Sequence, residues 1–341
     1  AGEQTLTLWQ LAQARPESLE AFERMGVDAA AIEAVRALRR RVQEFKGLPR
    51  CPVPKGLAGE LRPYQRDGLD FLAHASSLGM GTVLADDMGL GKTVQALAWL
   101  LHLRKSARKP GPTLVVCPAS VAHNWEREAQ RFAPGLRVAR LASGAGRAEQ
   151  MRALSRVDLA ITNYALLRRD IEAWQEQELF AVIADEAQTI KNPVAAVSHA
   201  MCQLKSTHRL ALTGTPLENR ALDLWSIVRF VNPGYLGSQH AFVQRYDRSD
   251  APPQSRRLLA ARLRPMLLRR LKRDVAPELP DRIEERRDCE MTPGQRKLYV
   301  AELARTRAEI AAMAAGGGLN EHKIEILAAL TRLRQICCHP Q

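Results

Sequence analysis

The chain has 341 residues, of which 46% are hydrophobic, so it is long enough for two domains and can bury a substantial core. No apolar run approaches the roughly 20 residues that cross a bilayer, and the first residues lack the basic start and apolar stretch of a signal peptide, so we expect no membrane partner and a location inside the cell. The six cysteines form no CxxC pair and favour no disulfide framework or metal site, whereas the net charge of +13 favours a polyanionic partner.

Residues 1–56 are predicted to form a helical segment followed by a linker. Asp28 can cap a helix whose apolar residues, from Ile32 to Phe45, recur at spacings of three and four. The stretch from Gly47 to Gly59 is rich in Gly and Pro, as is typical of a linker.

Residues 57–220 alternate short apolar runs with helix-like stretches. Hydrophobicity in the runs is continuous, which predicts strands that are covered on both faces and therefore a parallel α/β sheet flanked by helices. Ligands of such sheets bind beyond the carboxyl ends of the strands. The predicted strands are Thr82–Ala85, Leu114–Cys117, Leu159–Ile161, Ala181–Ala184 and Leu210–Leu212.

A glycine-bearing loop follows the first predicted strand and leads into a predicted helix. Gly89 and Gly91 allow backbone N–H groups to turn toward phosphates. Lys92 brings a cation to the β and γ oxygens, and the Thr93 hydroxyl is a candidate Mg²⁺ ligand. Asp86 stands where the pattern GxxxxGK[ST] has its first glycine.

Two adjacent carboxylates, Asp185 and Glu186, end the fourth predicted strand. This pair suits metal-assisted phosphoryl transfer, with Asp185 holding Mg²⁺ and Glu186 orienting or deprotonating water. An exposed turn that caps a helix is the alternative, and the upstream phosphate loop favours the catalytic interpretation. Thr213-Gly214-Thr215-Pro216 ends the next strand and fits either a link to a bound nucleic-acid strand or a simple turn.

The phosphate loop, the acid pair and Thr213–Pro216 resemble motifs I, II and III of superfamily 2 helicases, and further stretches narrow the resemblance to the Swi/Snf-like branch. The likeness covers about residues 60–341, in matching order and spacing. The stretches are Leu61-Arg62-Pro63-Tyr64-Gln65 (Q-motif), Leu84–Gln95 (a motif I without the first glycine), Cys117–Ser120 with Asn124, Trp125 and Glu128 (motif Ia), Ile161–Tyr164 (before motif II), Leu267–Pro280 and Thr292–Tyr299 (linker), and Leu333–Pro340 (the helix into the second lobe).

By this resemblance, the fold is a RecA-like parallel sheet flanked by helices, in a P-loop NTPase with an N-terminal helical segment and a C-terminal helical protrusion region. Residues 57–220 form the first RecA-like, ATP-binding lobe, and residues 221–280 form a helical protrusion and linker. Residues 281–341 begin the second-lobe region with a strand, about Arg282–Glu290, and helices. The second RecA-like lobe itself is not among the 341 residues.

The resemblance also implies roles for individual residues, with ATP and Mg²⁺ as the nucleotide and the metal. Gln65 reads adenine, and Gln188 replaces the His of many relatives; it can hydrogen-bond toward Thr213 but cannot titrate. The catalytic residues are Lys92, Asp185, Glu186 and Gln188. The nucleotide-binding residues are Arg62, Gln65, Met88, Gly89, Leu90, Gly91, Lys92 and Thr93, with Thr93 and Asp185 as metal ligands. The nucleic-acid-binding residues are Ser120, Asn124, Asn163, Tyr164, Thr213, Thr215, Arg269 and Arg270.

The implied activity is that of an ATPase that ratchets along duplex DNA without separating the strands. The implied partners are double-stranded DNA, a second RecA-like lobe of the same chain and a DNA-bound complex such as RNA polymerase. The Ala- and Arg-rich composition favours a bacterial source and the nucleoid; a eukaryotic source implies the nucleus. Because no QxxGRxxR stretch supplies an arginine finger, residues 1–341 alone are expected to bind ATP weakly and hydrolyse little.

Two alternatives remain. A strand-separating DNA or RNA helicase of the same superfamily is disfavoured by the linker stretch and by Met88 and Leu90 in motif I. A DNA-binding scaffold that only senses nucleotide is disfavoured by the intact Lys92, Asp185 and Glu186.

A basic stretch from Arg256 to Arg273 contains no acidic residue. It is predicted to be a helix that buries leucines and presents arginines to DNA phosphates. A solvated face, or arginines paired with acids elsewhere, is the alternative. Within the resemblance, Arg269 and Arg270 fit a role in coupling the two lobes as well as direct phosphate contact.

Overall fold

The computed structural model describes residues 33, 36, 48–141, 143–144, 146–214, 221–248, 253–276, 285, 288–316 and 323–338. The chain divides into two compact units, Ala1–Leu279 and Pro280–Gln341. Residues 33 and 36 are helical, and the rest of the helix predicted before Gly47 lies outside the described residues. In the described part of the chain, no helix has the length and apolar character to span a bilayer.

The first unit contains a sheet of seven parallel strands in the order β3-β4-β2-β5-β6-β1-β7. The five predicted strands are all present, which confirms the α/β prediction; β3 and β7 were not predicted. The strands are β1 (Thr82–Leu84), β2 (Thr113–Cys117), β3 (Val138–Arg140), β4 (Leu159–Asn163), β5 (Glu178–Ala184), β6 (Lys205–Leu212) and β7 (Leu267–Leu268).

Helices cover both faces of this sheet and create two apolar cores. In β2, Val115 and Cys117 lie in one core, and Leu114 and Val116 lie in the other. Because both faces of the strand are buried, its sequence is continuously hydrophobic. One face is covered by α1 (Pro63–Ser77), α2 (Lys92–Ser106) and α3 (Ala119–Phe132). The other is covered by α4 (Arg147–Arg152), α5 (Tyr164–Arg169), α6 (Ile171–Gln175), α7 (Ala196–Gln203) and α8 (Ala221–Val231).

A third apolar cluster lies beyond β1, where α8 packs with α9 (Gln239–Phe242) and α10 (Pro253–Leu263). The helix predicted over Arg256–Arg273 is wrong in extent, because α10 ends at Leu263. Pro265 follows, and proline disfavours helical geometry in the residue before it. The chain then enters β7, and α11 (Lys272–Val275) is a separate short helix.

Strand β7 lies parallel to β1 and continues alongside the phosphate loop. The backbone N–H groups of Val83 and Ala85 donate to the carbonyls of Met266 and Leu268, both at 2.7 Å. The sheet therefore includes residues beyond 220, the predicted end of the first lobe.

The second unit contains two helices, α12 (Pro293–Gly316) and α13 (Lys323–Cys338), as the helical pattern predicted. The Arg332 guanidinium donates to the Glu302 carboxylate at 2.9 Å, and the Gln295 amide donates to the carbonyl of Ile336 at 3.3 Å. Of the strand predicted over 282–290, residues 285 and 288–290 have no regular structure, and the others lie outside the described residues.

Candidate functional site

The loops that carry the predicted site leave the sheet at one edge. Leu84 of β1 is in register with Leu212 of β6, and Val116 of β2 is in register with Ala184 of β5. Because these strands are parallel and end level, the phosphate loop, the acid pair and Thr213 lie side by side.

The phosphate loop depends on two glycines in the left-handed region. Gly89 has φ 86° and Gly91 has φ 71°, a conformation that other residues adopt only with strain. A Cβ on Gly91 would lie 2.5 Å from the Gln65 amide nitrogen, so a side chain at this position would also displace the Gln65 amide. Leu90 is buried between them and Met88 is 61% exposed.

Lys92 begins α2, and its ammonium group is directed back into the loop. Its Nζ donates to the carbonyls of Asp86 at 2.8 Å and Asp87 at 3.2 Å. Burial lowers the pKa of Lys92, and the nearby carboxylates, Glu186 foremost, oppose that shift. A half-buried cation that donates to neutral carbonyls is suited to receive a phosphate. Thr93 lies beside it in the first turn of the helix.

The acid pair follows β5 directly. One Asp185 oxygen accepts from the Trp125 indole N–H at 2.7 Å, and the other accepts from the Glu186 backbone N–H at 2.9 Å. Burial raises the pKa of Asp185, while these two hydrogen bonds act in the opposite direction. Among the described residues, Glu186 is the one non-glycine residue with positive φ, 50°, a strained geometry of the kind found at functional sites.

Gln188 connects the acid pair to Thr213. Its amide nitrogen donates to a Glu186 carboxylate oxygen at 2.6 Å, and its amide oxygen accepts from the Thr213 hydroxyl at 2.9 Å. The predicted hydrogen bond between Gln188 and Thr213 is confirmed. Thr213 itself is fully buried, and its hydroxyl is engaged in this internal link. Its contact with nucleic acid stays a prediction.

A cavity of about 600 Å³ opens beside Gln65, Gly91 and Val94. The Gln65 side chain accepts from the Arg62 backbone N–H at 3.0 Å and donates to the Leu90 carbonyl at 3.2 Å, which holds it against the phosphate loop. The opposite wall belongs to α3 and was not predicted as nucleotide-binding, although Arg127 and Arg131 follow a helical spacing that could have indicated it. This wall consists of Arg127, Glu128, Arg131 and Phe132.

Three of the predicted nucleic-acid contacts lie at the same edge of the sheet. Ser120 is exposed in the first turn of α3, and Asn124 is one turn further along, donating to Glu128 at 2.9 Å. The Asn163 side chain accepts from the Leu166 N–H at 2.9 Å and so caps α5. Their contact with nucleic acid stays a prediction, and Thr215 lies outside the described residues.

Tyr164 is buried, and its hydroxyl donates to the Asp185 carbonyl at 2.6 Å. The hydroxyl is thus used inside the site, and the predicted contact of Tyr164 with the nucleic-acid backbone stays a prediction.

Arg270 is also predicted to bind nucleic acid, and that contact stays a prediction. Its guanidinium is directed into the lobe, where Nε donates to the Asp86 carboxylate at 3.0 Å and Nη2 donates to Gln95 at 2.7 Å. A further bond reaches the Tyr64 carbonyl. Asp86 therefore replaces the first glycine of the phosphate-loop pattern as an anchor for Arg270. Arg269 is exposed, and its predicted role stays open.

Comparison with known proteins gives a consistent result. Residues 64–341 match the model of the SNF2-related domain. The chain is 39% identical over 325 residues to the putative ATP-dependent helicase/translocase YwqA of Bacillus subtilis, covering 92% of this chain and 34% of that protein. It is 31% identical over 314 residues to the TATA-binding protein-associated factor MOT1 of Saccharomyces cerevisiae, covering 84% of this chain and 17% of that protein.

Among solved structures, the SWI2/SNF2 ATPase core of Sulfolobus solfataricus in complex with dsDNA superimposes with a TM-score of 0.63 at 39% identity, over 86% of this chain and 61% of that one. The chain thus spans about a third or less of these curated relatives. With the motifs in order on a RecA-like sheet, the match over residues 64–341 means that this chain belongs to the SNF2-related domain family.

Proposed function

We propose that this chain is the ATP-binding lobe of an ATPase that moves along double-stranded DNA and thereby rearranges protein–DNA complexes. The observation that carries the proposal is the meeting of Lys92, Asp185, Glu186, Gln188 and Thr213 at one edge of the sheet. Relatives named as a helicase/translocase, and a solved relative in complex with dsDNA, support it.

The residues present fit a magnesium–nucleotide complex. Thr93 and Asp185 offer oxygen ligands, which Mg²⁺ prefers, and the ion ordinarily keeps several waters and binds through substrate phosphates. Consistent with that mode, the described residues contain no group of three or more His, Cys, Asp or Glu side chains that could hold a metal on their own. Bound there, Mg²⁺ would neutralise charge on the phosphates.

The side chains divide the work of hydrolysis. Lys92 balances charge on the β and γ phosphate oxygens, and the glycine loop offers backbone N–H groups to the same oxygens. Glu186 orients the water that attacks the γ phosphorus, as the bond to the β–γ bridging oxygen breaks to leave ADP and phosphate. Gln188 holds the Glu186 carboxylate in place through its 2.6 Å hydrogen bond.

In our proposal the base and the DNA contact different residues at this edge of the sheet. Adenine fits the cavity beside Gln65, facing Arg127 and Arg131. Ser120 and Asn124 on α3 and the start of α5 at Asn163 face the DNA backbone, and the net charge of +13 strengthens such binding.

Rates of ATP hydrolysis with duplex DNA, single-stranded DNA and RNA test the proposal. They are measured for residues 1–341 and for a longer chain that includes a second lobe. We expect the longer chain to respond most to duplex DNA, and residues 1–341 alone to hydrolyse little. Stimulation by RNA or single strands, together with strand displacement, would favour a helicase. If neither chain hydrolyses ATP, the remaining hypothesis is a DNA-binding scaffold that only senses nucleotide.

The target of the motor is a finer proposal. We infer a bacterial protein that acts in the nucleoid on a DNA-bound complex such as RNA polymerase. The Ala- and Arg-rich composition and the likeness to a Bacillus subtilis protein support this inference.

A further inference from the structure

Two buried aromatic side chains join Asp185 to the elements that carry the predicted DNA contacts. Trp125 lies on α3, one residue after Asn124, and Tyr164 begins α5, one residue after Asn163. Neither aromatic residue has a polar role in the hydrolysis described above.

The indole of Trp125 acts on the carboxylate itself. It is fully buried, and its N–H donates to Oδ2 of Asp185 at 2.7 Å. Because the indole is a neutral donor, it fixes the orientation of the carboxylate without cancelling the charge that attracts a cation. Ser120 and Asn124 are on the same rigid helix, so a shift of α3 on binding DNA moves this donor as well.

The phenol of Tyr164 acts on the backbone at the same residue. Its hydroxyl donates to the Asp185 carbonyl at 2.6 Å, while the Asp185 N–H donates to the Val116 carbonyl of β2 at 2.8 Å. Asp185 is therefore held from two sides, by α3 and by the start of α5. Both are places where DNA is proposed to bind.

Trp174 shows that a buried indole in this unit does not require such a partner. It is also fully buried, on α6, and its N–H has no hydrogen-bond partner among the residues that the structure describes. Packing of the apolar core is thus sufficient to explain Trp174. It does not explain why the Trp125 N–H donates to the Asp185 carboxylate.

We propose that Trp125 and Tyr164 are positioning residues that transmit engagement of the DNA backbone at α3 and α5 to the metal-binding carboxylate of Asp185. The inference rests on the proposed function. It assigns the coupling between DNA and magnesium–nucleotide to two hydrogen bonds inside this lobe.

The test compares Trp125→Phe with the matched control Trp174→Phe. Binding of a fluorescent ATP analogue to the longer chain that includes a second lobe is titrated with Mg²⁺, with and without a short duplex DNA, and once in EDTA. We expect duplex DNA to change the Mg²⁺ dependence of wild type several-fold. Trp125→Phe should need about 10- to 100-fold more Mg²⁺, lose the response to DNA and keep wild-type affinity in EDTA. Trp174→Phe should bind as wild type does.

Each other outcome has a definite meaning. If Trp125→Phe keeps the Mg²⁺ dependence and the DNA response of wild type, the inference is overturned and the proposed function is unaffected. Equal losses in Trp125→Phe and Trp174→Phe would also overturn the inference, because they would show that the losses come from disturbed core packing. A wild-type chain that binds no magnesium–nucleotide would overturn the proposed function. If Trp125→Phe does not fold, Tyr164→Phe, which removes only a hydroxyl, takes its place. Loss of the DNA response in Tyr164→Phe would support the inference, and an unchanged DNA response would overturn it.

Discussion

Asp86 and Asp185 follow two parallel strands at the same edge of one sheet, and both are buried, yet their charges have opposite surroundings. Asp86 is paired with the Arg270 guanidinium through both oxygens. Within the described part of the chain, Asp185 accepts hydrogen bonds from two neutral N–H groups, those of Trp125 and Glu186. Burial therefore raises the pKa of Asp185.

This difference distinguishes a carboxylate that stabilises the fold, here called an anchor, from a carboxylate that is available to bind a ligand. A carboxylate whose charge is neutralised inside the protein stabilises the fold and has little charge left for a ligand. A carboxylate held by neutral donors keeps its charge at a cost in stability and is ready for a cation. The same change, aspartate to asparagine, should therefore have opposite consequences at the two positions.

The largest effect is expected from Asp185→Asn. Loss of the charge that we propose to bind Mg²⁺ should lower ATP hydrolysis by the longer chain with duplex DNA on the order of 10⁴-fold, or about 5 kcal/mol. Stability should not fall, because the raised pKa means that the folded state favours the neutral form of this group. Steady-state hydrolysis and urea unfolding measure the two effects. A lower urea midpoint would show that Asp185 is an anchor after all.

Asp86→Asn should act on the fold. It leaves the Arg270 guanidinium without its charge partner, and breaking a buried pair in this way costs about 3–4 kcal/mol in the free energy of unfolding. Urea denaturation of residues 1–341 measures the loss. Adding Arg270→Met should restore part of it, and Arg269→Met, at the exposed neighbour, is the control. Equal stability of wild type and Asp86→Asn would contradict the anchor.

Asp158 offers a third aspartate, at the opposite end of the sheet. Hydrogen bonds from Arg137, and the charge of Arg104, hold the pKa of Asp158 below its usual range. A lowered folded pKa adds stability that is present above the unfolded pKa of about 4 and lost as pH falls through the folded value.

Asp158→Asn should therefore lower the free energy of unfolding by about 2 kcal/mol at neutral pH. The gap to wild type should close as the pH falls from about 5 to about 2. Melting temperatures across this range check it, and a gap that stays constant would exclude the ionised pair as its source.

Thr213→Val should have the smallest effect. It keeps the shape of the side chain and removes the hydroxyl that donates to Gln188 at 2.9 Å. A neutral hydrogen bond contributes about 0.5–1.5 kcal/mol, so kcat should fall about 2- to 10-fold while the KM for ATP stays unchanged. A change in KM alone would mean that the link serves nucleotide binding rather than turnover.

The parts that sequence predicts best are those whose signal is local. Strands β1, β2, β4 and β5 are buried over most of their length, as is the end of β6 at Leu210–Leu212, and these stretches are largely apolar. Strand β3 is short and partly exposed, and β7 is two leucines in an Arg-rich stretch, so neither has a distinctive pattern. The Arg-rich stretch was predicted as one helix because leucine spacing was given more weight than Pro265.

The same distinction holds for the site. Gly89, Gly91, Lys92, Asp185 and Glu186 lie in short motifs whose chemistry is evident from residue types. Their partners come from far along the chain: Trp125 is 60 residues from Asp185, and Arg270 is 184 residues from Asp86. A cationic residue type alone does not reveal whether its charge faces DNA or the interior, and the pairing of Arg270 with Asp86 is therefore visible only in the structure.

The position of β7 beside β1 also has a consequence for how the protein is made. The strand that carries the phosphate loop is flanked only by β6 and β7, and its residues Thr82 and Val83 are in register with Leu210 and Leu267. During synthesis, β1 therefore leaves the ribosome long before either neighbour. Such non-local pairing slows folding, and the nucleotide site of the nascent chain can be completed only after residue 270 has emerged.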